Sequence, residues 1–373
     1  MRVVYVSPHA HLGGAERVTT DLVALHDRAV VEPVVVFLAP GPLVDAVGRI
    51  GVPVDVLPAP RLREVLAARQ FRRALATRLT ELGADLVHGV MGWGHAYAGP
   101  AARRAGIPAV WYQHNIPART RALDLLAALT PAARILANSE LTARAQRRIN
   151  PRRIPIEVVR PGTLLPEAPR EQRRARGRAA LGLEDGHFVA VQVARLVPGK
   201  GHPTFLAAAR SLCNARPDVR VVIAGAALFD PEADYAAALR RLAADLGIAD
   251  RVRFVGGEVD ASLVLGAADV AVHVPDGVES YGLAVVEAMA AGAAVVAADG
   301  GAVREMVEPG TTAVLVPPGD AEKLAAALVA LHDSPEDRAR MIGAALTAAR
   351  ERFDARLVTR RVEAVYRAVL ESR

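Results

Sequence analysis

"FVAVQVARLVPGKGH" (188–202) opens with a β-branched run, breaks at a Pro-Gly bend that carries a lysine, and leads into an Ala- and Leu-rich helical pattern. This strand, loop and helix restart an alternation that already runs through the first half of the chain. β-branched runs separated by Ala/Leu/Arg helical patterns specify parallel sheets with crossover helices. Candidate strands before it are 2–7, 33–38, 52–57, 85–90, 108–113, 134–139 and 156–160. From it onward they are 188–195, 219–225, 251–256, 269–274, 293–298 and 312–316. Between the two sets lies "RPGTLLPEAPREQRRARGR" (160–178), whose proline and charge read as a linker. The fold class is therefore α/β, with two Rossmann-like parallel-sheet domains in tandem. Parallel sheets bind ligands beyond the carboxyl ends of their strands, so two such sheets facing each other would make a cleft.

At 373 residues the chain exceeds what one core usually serves. Its 52% hydrophobic and 23% charged content is that of a globular protein. No apolar run reaches membrane-spanning length and the N-terminus lacks a signal-peptide pattern, so a cytoplasmic protein is expected. The lone Cys213 excludes a disulfide within the chain and is expected to be a buried structural thiol. Residues 1–160 hold 21 arginines against 12 carboxylates, a net +9, which leaves −3 for the remainder. Lysine occurs only at 200 and 323. With aromatics at 4% and not interleaved with the basic residues, the charge does not read as a nucleic-acid surface.

Three loops carry candidate chemistry. "SPHAHLGGAER" (7–17) follows the first strand and opens a helix; Gly13 and Gly14 would allow close backbone approach, and the helix N-terminus would favour an anion. A tight turn without a ligand reads equally well, and the loop is not the G-x-G-x-x-G dinucleotide fingerprint. In "ARLVPGKGH" (194–202), Arg195 and Lys200 flank the bend and could converge on a diphosphate, Arg with bidentate donors and Lys with a compact charge. The third loop, in "PDGVESYGLAVVEAMAAG" (275–292), sets Glu279 ahead of a helix expected to start near Tyr281 or Gly282. The N–H groups of Gly282 and Leu283 could then hold a phosphate. Glu287 would project about 7.5 Å further along the axis, the span from a sugar to a ribose across a diphosphate. A buried carboxylate in so apolar a helix calls for a partner such as a ligand hydroxyl. No D-x-D or histidine cluster has metal-ligand spacing.

The glycine loop, the R-x-x-x-x-K-G turn and above all E-S-Y-G-L-x-x-x-E-A-M-A-x-G resemble retaining glycosyltransferases of family 4, with "HN" (114–115) and "ANSE" (137–140) in matching order. The chain departs from the family's pattern at "RPGTLL" (160–165) and at Ala226 and Ala227, where further glycines are common. The resemblance implies a GT-B fold with domains 1–165 and 166–353, and a final helix 354–373 packing back on the first. It implies that Arg195 and Lys200 bind the diphosphate of a nucleotide-sugar and that Glu287 takes the ribose hydroxyls. Glu279 would contact the transferred sugar, Ser280, Tyr281, Gly282 and Leu283 would meet sugar and phosphate, and His114 would face the sugar from the other domain. The base would lie against main chain near Arg253 to Gly256. The reaction implied is metal-independent hexosyl transfer to an acceptor hydroxyl with retained configuration, in cell-surface glycan or glycolipid assembly. The nucleoside-diphosphate sugar, a UDP-sugar first, is co-substrate and no cofactor is expected. Other readings are glycosylation of a small soluble natural product, a sugar phosphorylase or epimerase on the same fold, and a non-enzymatic nucleotide-sugar binding module.

The helical "RLREVLAARQFRRALATRL" (61–79) gathers Arg61, Arg63, Arg69, Arg72, Arg73 and Arg78 around Leu62, Val65, Leu66, Leu75 and Leu79. This surface could meet an anionic acceptor or the inner face of an anionic membrane. It could equally be a crossover helix packing its stripe on the sheet, and the stripe is expected to serve one use only.

Overall fold

In a computed structural model the chain divides into two compact units, Met1–Gly162 with Ala355–Arg373, and Thr163–Asp354. The structure describes all residues except Leu12, Ala227, Leu228, Phe229, Glu258 and Arg373, and the side chains of Asp230 and Pro231. The part of the first glycine loop at Leu12 and the departure at Ala227 thus lie outside the described residues. In the first half the elements are β1 (Arg2–Ser7), α1 (Gly14–Leu25), β2 (Glu32–Phe37), α2 (Leu43–Arg49), β3 (Val54–Val56), α3 (Val65–Glu81), β4 (Leu86–Val90), α4 (Met91–Ala105), β5 (Ala109–Gln113), α5 (Ala122–Leu129), β6 (Arg134–Ala137), α6 (Glu140–Arg147) and β7 (Ile156–Val158). The second half continues with α7 (Arg170–Leu181), β8 (Phe188–Val193), α8 (His202–Ala215), β9 (Val219–Ala224), α9 (Asp230–Asp245), β10 (Val252–Val255), α10 (Ala261–Ala267), β11 (Val270–His273), α11 (Leu283–Ala291), β12 (Ala294–Ala298), β13 (Val314–Val316), α12 (Ala321–Asp333), α13 (Pro335–Arg352) and α14 (Ala355–Glu371).

Each unit holds one parallel sheet, in the order β3-β2-β1-β4-β5-β6-β7 in the first and β10-β9-β8-β11-β12-β13 in the second. Helices cover both faces, so the central strands read as near-continuous apolar runs, as Val3 to Val6 and Val189 to Val191 do. Strand order reverses between β1 and β4 and again between β8 and β11. At such a reversal the loops leave on opposite faces and open a crevice beyond the carboxyl ends of the strands. Cys213 is buried on α8, and burial pushes its thiol up to about 11, which suits a structural thiol. No helix among the described residues is long and apolar enough to cross a membrane.

The stripe on α3 does not have one use. Leu75 and Leu79 are fully buried against the sheet, whereas Val65 and Leu66 in the first turn are 71% and 77% exposed. The two halves of the helix therefore meet different surroundings.

α14 belongs to the first unit through a buried polar chain. Glu363 Oε1 accepts from His26 Nδ1 (2.9 Å) and from Asp27 N (3.1 Å). His26 Nε2 lies 2.6 Å from the Tyr5 hydroxyl, which is 2.8 Å from the Tyr366 hydroxyl, itself 2.6 Å from His88 Nδ1. Burial lowers the His26 pKa, with Glu363 working against it, so the ring is neutral with its proton on Nδ1 toward the carboxylate. Tyr5 then gives its single proton to His26 Nε2, Tyr366 gives its own to Tyr5, and His88 Nδ1–H completes the chain. Tyr366→Phe leaves the His88 donor and one Tyr5 lone pair unmet, a cost of about 2 kcal/mol. Urea unfolding followed by circular dichroism should show an earlier transition in that variant; an unchanged midpoint would contradict the one-way chain.

Candidate active site

The second reversal builds the site. β8 ends at Val193 and its loop carries Arg195 and Lys200 to α8. Gly201, at φ +73°, fits against β11 so closely that a Cβ would stand 1.7 Å from Val274 O. Only glycine meets both demands. Asp276 N–H donates to Gly199 O (3.1 Å), and the buried Gln192 amide donates to Lys200 O (2.6 Å). With its backbone clamped in this way, Lys200 donates from Nζ to Glu279 Oε2 at 2.9 Å. Glu279 is fixed in turn: its carbonyl accepts from Ala302 N (3.1 Å), and Gly301, at φ +61°, would place a Cβ 2.2 Å from that oxygen.

The buried His273, last residue of β11, points Nε2 toward Glu279 at 4.0 Å, and this nitrogen has no hydrogen-bond partner among the described residues. Burial, only partly offset by Glu279, holds its pKa down to about 4, so the imidazole is neutral. Burial also works to raise the Glu279 pKa, but Lys200 and His273 outweigh it and the carboxylate titrates below its ordinary range. α11 begins at Leu283, one or two residues later than the sequence suggested. Gly282 is left-handed at φ +99°, so it caps the helix against the His273 ring and cannot be its first residue. Tyr281 is buried; Ser280, Leu283 and Glu287 are half-buried. Arg195 Nη2 donates to the carboxylate of Glu232 on α9.

Other expected residues stand apart from this group. Arg253 is the second residue of β10, exposed, with its guanidinium against Gly182 at the end of α7, away from the carboxyl edge of the sheet. Gly13, Gly14 and His114 belong to the first unit. Gly13 caps α1, and the carboxylate of Glu16 folds over it, within 2.5 Å of where a Cβ would be. His114 follows β5, is buried beside the Tyr112 ring (4.2 Å), and has its pKa pushed down to about 3 by burial.

Comparison with known proteins places this geometry. Residues 174–347 match the family model described as glycosyl transferases group 1, and residues 12–163 match glycosyltransferase family 4. A D-inositol 3-phosphate glycosyltransferase of Frankia alni is 32% identical over 70% of this chain and 69% of its own. The chain belongs to glycosyltransferase family 4. One of the same name from Streptomyces scabiei is 34% identical over 72% of this chain, and the alignment spans 64% of that relative's length, less than two thirds. Among solved structures, Anabaena HepE in complex with UDP-glucose superposes with a TM-score of 0.87 at 25% identity, covering 99% of this chain and all of the other. Two parallel-sheet domains of GT-B type are thus the fold of this family-4 chain.

Sequence reasoning missed His273, Glu232, Glu16, Gln192 and Gly301. A signal existed for the first, since "DVAVHV" puts one titratable side chain at the end of an otherwise buried strand. Glu232 and Gly301 depend on contacts between segments far apart in the chain, whereas Gln192 and Glu16 act on residues eight and three positions away with no pattern to mark them. Together the buried histidines give this family-4 chain a pH signature. His95, His202 and His273 are depressed from 6.5 to about 4 and His114 to about 3, chiefly by burial. The unfolded chain therefore binds more protons from about pH 6.5 downward, and stability falls with pH across that window by up to about 1.4 kcal/mol per unit per histidine. The depressed Glu279 acts in the same direction, its contribution being lost as pH falls through its folded pKa. Urea midpoints should be flat from pH 7 to 8 and drop steeply between 6.5 and 4.5; a flat profile throughout would contradict the buried neutral state.

Proposed function

We propose that the protein is a retaining, metal-independent glycosyltransferase that moves a hexosyl group from a nucleoside-diphosphate sugar, a UDP-sugar first, to an acceptor hydroxyl in glycan or glycolipid assembly. The observation that carries this reading is the Lys200–Glu279 pair beside the start of α11, with the partnerless Nε2 of His273 facing it. The chemistry to be accelerated is departure of a diphosphate, on which negative charge grows as the anomeric bond breaks. Lys200, Arg195 and the N–H groups at the start of α11 supply positive charge fixed before the reaction, the arrangement that stabilises such a transition state most. Glu279 would lie beside the point where the sugar joins the phosphate and align its hydroxyls. Glu287, one turn into the helix, would hold the ribose. Attack from the face that the diphosphate leaves, with the departing phosphate accepting the acceptor's proton, retains configuration. The complexes of HepE with UDP-glucose, and of the same protein with UDP and glucose, support a donor of this class.

Transfer from UDP-sugars, assayed with EDTA present throughout, tests the reading. Glu279→Gln should keep the fold and most of the affinity for UDP yet lose transfer by at least roughly a hundredfold, as for a group aligned on the reacting sugar. Lys200→Ala should weaken UDP binding and slow transfer together, because its charge acts in both ground and transition states. Wild-type turnover in Glu279→Gln, or a requirement for added metal, would overturn the assignment.

The exposed start of α3 supports a cytoplasmic protein working at the inner face of the membrane. Val65 and Leu66 stand out between exposed Arg61, Arg63, Arg69 and Arg73, while Arg72 is half-buried over the Tyr97 ring. Apolar side chains flanked by four exposed arginines against the single carboxylate of Glu64 suit an anionic lipid surface, each cation adding about 1 kcal/mol near it. Sedimentation with phosphatidylserine vesicles should show salt-sensitive binding that falls in Arg69→Gln/Arg73→Gln and in Leu66→Ser; no binding at low ionic strength would remove the membrane from the proposal.

A further inference from the structure

β11 lies between β8 and β12, and its side chains alternate between two cores. Val270 and Val272 face one; Ala271 faces the other, where Tyr281, Val285 and Met306 pack. By this alternation His273, in register with Ala297 of β12, falls on the second face. Its ring lies against Gly282, where a Cβ would stand 3.1 Å from Nε2 and 3.4 Å from the Met306 methyl. The strand is otherwise valine and alanine, and an apolar side chain would fill this position without leaving a polar atom unmet. A buried donor without an acceptor costs about 1–3 kcal/mol. His273 Nε2 is in that state among the described residues. Glu279 Oε2 stands 4.0 Å away, about 1 Å beyond hydrogen-bond length. Lys200 Nζ holds the same oxygen at 2.9 Å. Two groups thus converge on one carboxylate oxygen, and only the lysine is bonded to it.

On the transferase reading Lys200 has a second claimant. A diphosphate carries more negative charge than a carboxylate and draws the ammonium toward itself. The Glu279 side chain, only 19% exposed, has little water to turn to in exchange; left alone it would take up a proton or swing away. A displacement of about 1 Å brings Oε2 within reach of His273 instead. The ring suits this use because it is neutral: burial, opposed by Glu279 and aided by Lys200, holds its pKa down to about 4. A neutral imidazole has one N–H, which the facing carboxylate favours on Nε2. It can donate to Glu279 without competing for the diphosphate, as a second cation would. We infer that His273 is a positioning residue for Glu279: when an anion takes Lys200, Glu279 exchanges its lysine for the Nε2–H of His273 and keeps its place. This rests on the transferase reading and deepens it, by naming the group that holds the carboxylate assigned to the sugar once the donor is bound.

Proton NMR sees the exchange directly, since a ring N–H engaged by a carboxylate is slow to exchange and resonates downfield of the amides. His26, bonded to Glu363, should give one such proton in every state. The wild type should gain a second with UDP, Lys200→Met should show it with no ligand, and His273→Gln should lack it throughout. By isothermal titration His273→Leu should bind UDP about tenfold more weakly, equivalent to about 1.4 kcal/mol, because the displaced Glu279 finds no partner. In a Glu279→Gln background the same substitution should change UDP affinity by less than about twofold, since the exchange needs the carboxylate. His273→Gln, which keeps an N–H near the same place, should recover most of the loss. Equal losses in the two backgrounds, as a packing role alone would give, or no second proton in either UDP-bound wild type or Lys200→Met, overturn the exchange. Failure of the wild type to bind UDP, GDP and ADP would instead overturn the transferase reading, and the Lys200→Met spectrum would still decide whether His273 takes over Glu279.

Discussion

The Lys200–Glu279 ion pair joins the ends of β8 and β11 at the point where the second sheet reverses its strand order. A lysine and a glutamate this far from full exposure are costly apart and tolerable together, so their partnership constrains everything near them. Lys200 can reach Glu279 only because Gly201 lets its loop touch β11, and Glu279 is held there only because Gly301 lets a second loop close on its carbonyl. A side chain at either glycine would part the loops and strand two charges. The backbone specialisation of the second sheet's carboxyl edge therefore exists to keep one ion pair made.

Much of this architecture can be read before any coordinates. All thirteen expected strands have counterparts among the described residues, most within one or two residues of their expected ends. Strands buried on both faces leave an uninterrupted apolar record, and the polar loops between them mark the crossovers. The expected active-site loops lie at the carboxyl edges because a parallel sheet leaves few other places for its loops to converge. What could not be read was the pairing of side chains. Glu232 lies 37 residues after Arg195, and no local pattern says that they meet. Gly282 reads as a possible helix start until its left-handed φ is known. Arg253 opens the segment whose main chain was expected to meet the base, and nothing in the sequence says that its guanidinium reaches Gly182 at the end of α7.

The α3 stripe shows the same boundary between pattern and contact. Its spacing is that of a single amphipathic face, and nothing in the sequence tells which part of it is covered. In the structure Leu75 and Leu79 are covered and Val65 and Leu66 are not.

A common electrostatic logic links the charged groups of the two units. Lys200 is engaged by Glu279, Arg195 by Glu232, and the N-terminus of α1 at Gly13 by Glu16. Both cations that the family resemblance assigns to a diphosphate already have a carboxylate from their own unit. Unopposed cations clustered in a partly buried crevice would repel one another and lose hydration, so a chain that must stay folded without ligand has reason to neutralise them. On the proposed transferase reading, donor binding would exchange one anion for another and gain only the difference between them. That difference would favour a diphosphate, which could present several acceptor oxygens to Arg195, Lys200 and the start of α11 together, where each carboxylate serves one partner. Selectivity for a nucleoside diphosphate over smaller anions would then follow from the neutralised resting state, without any contact to the base.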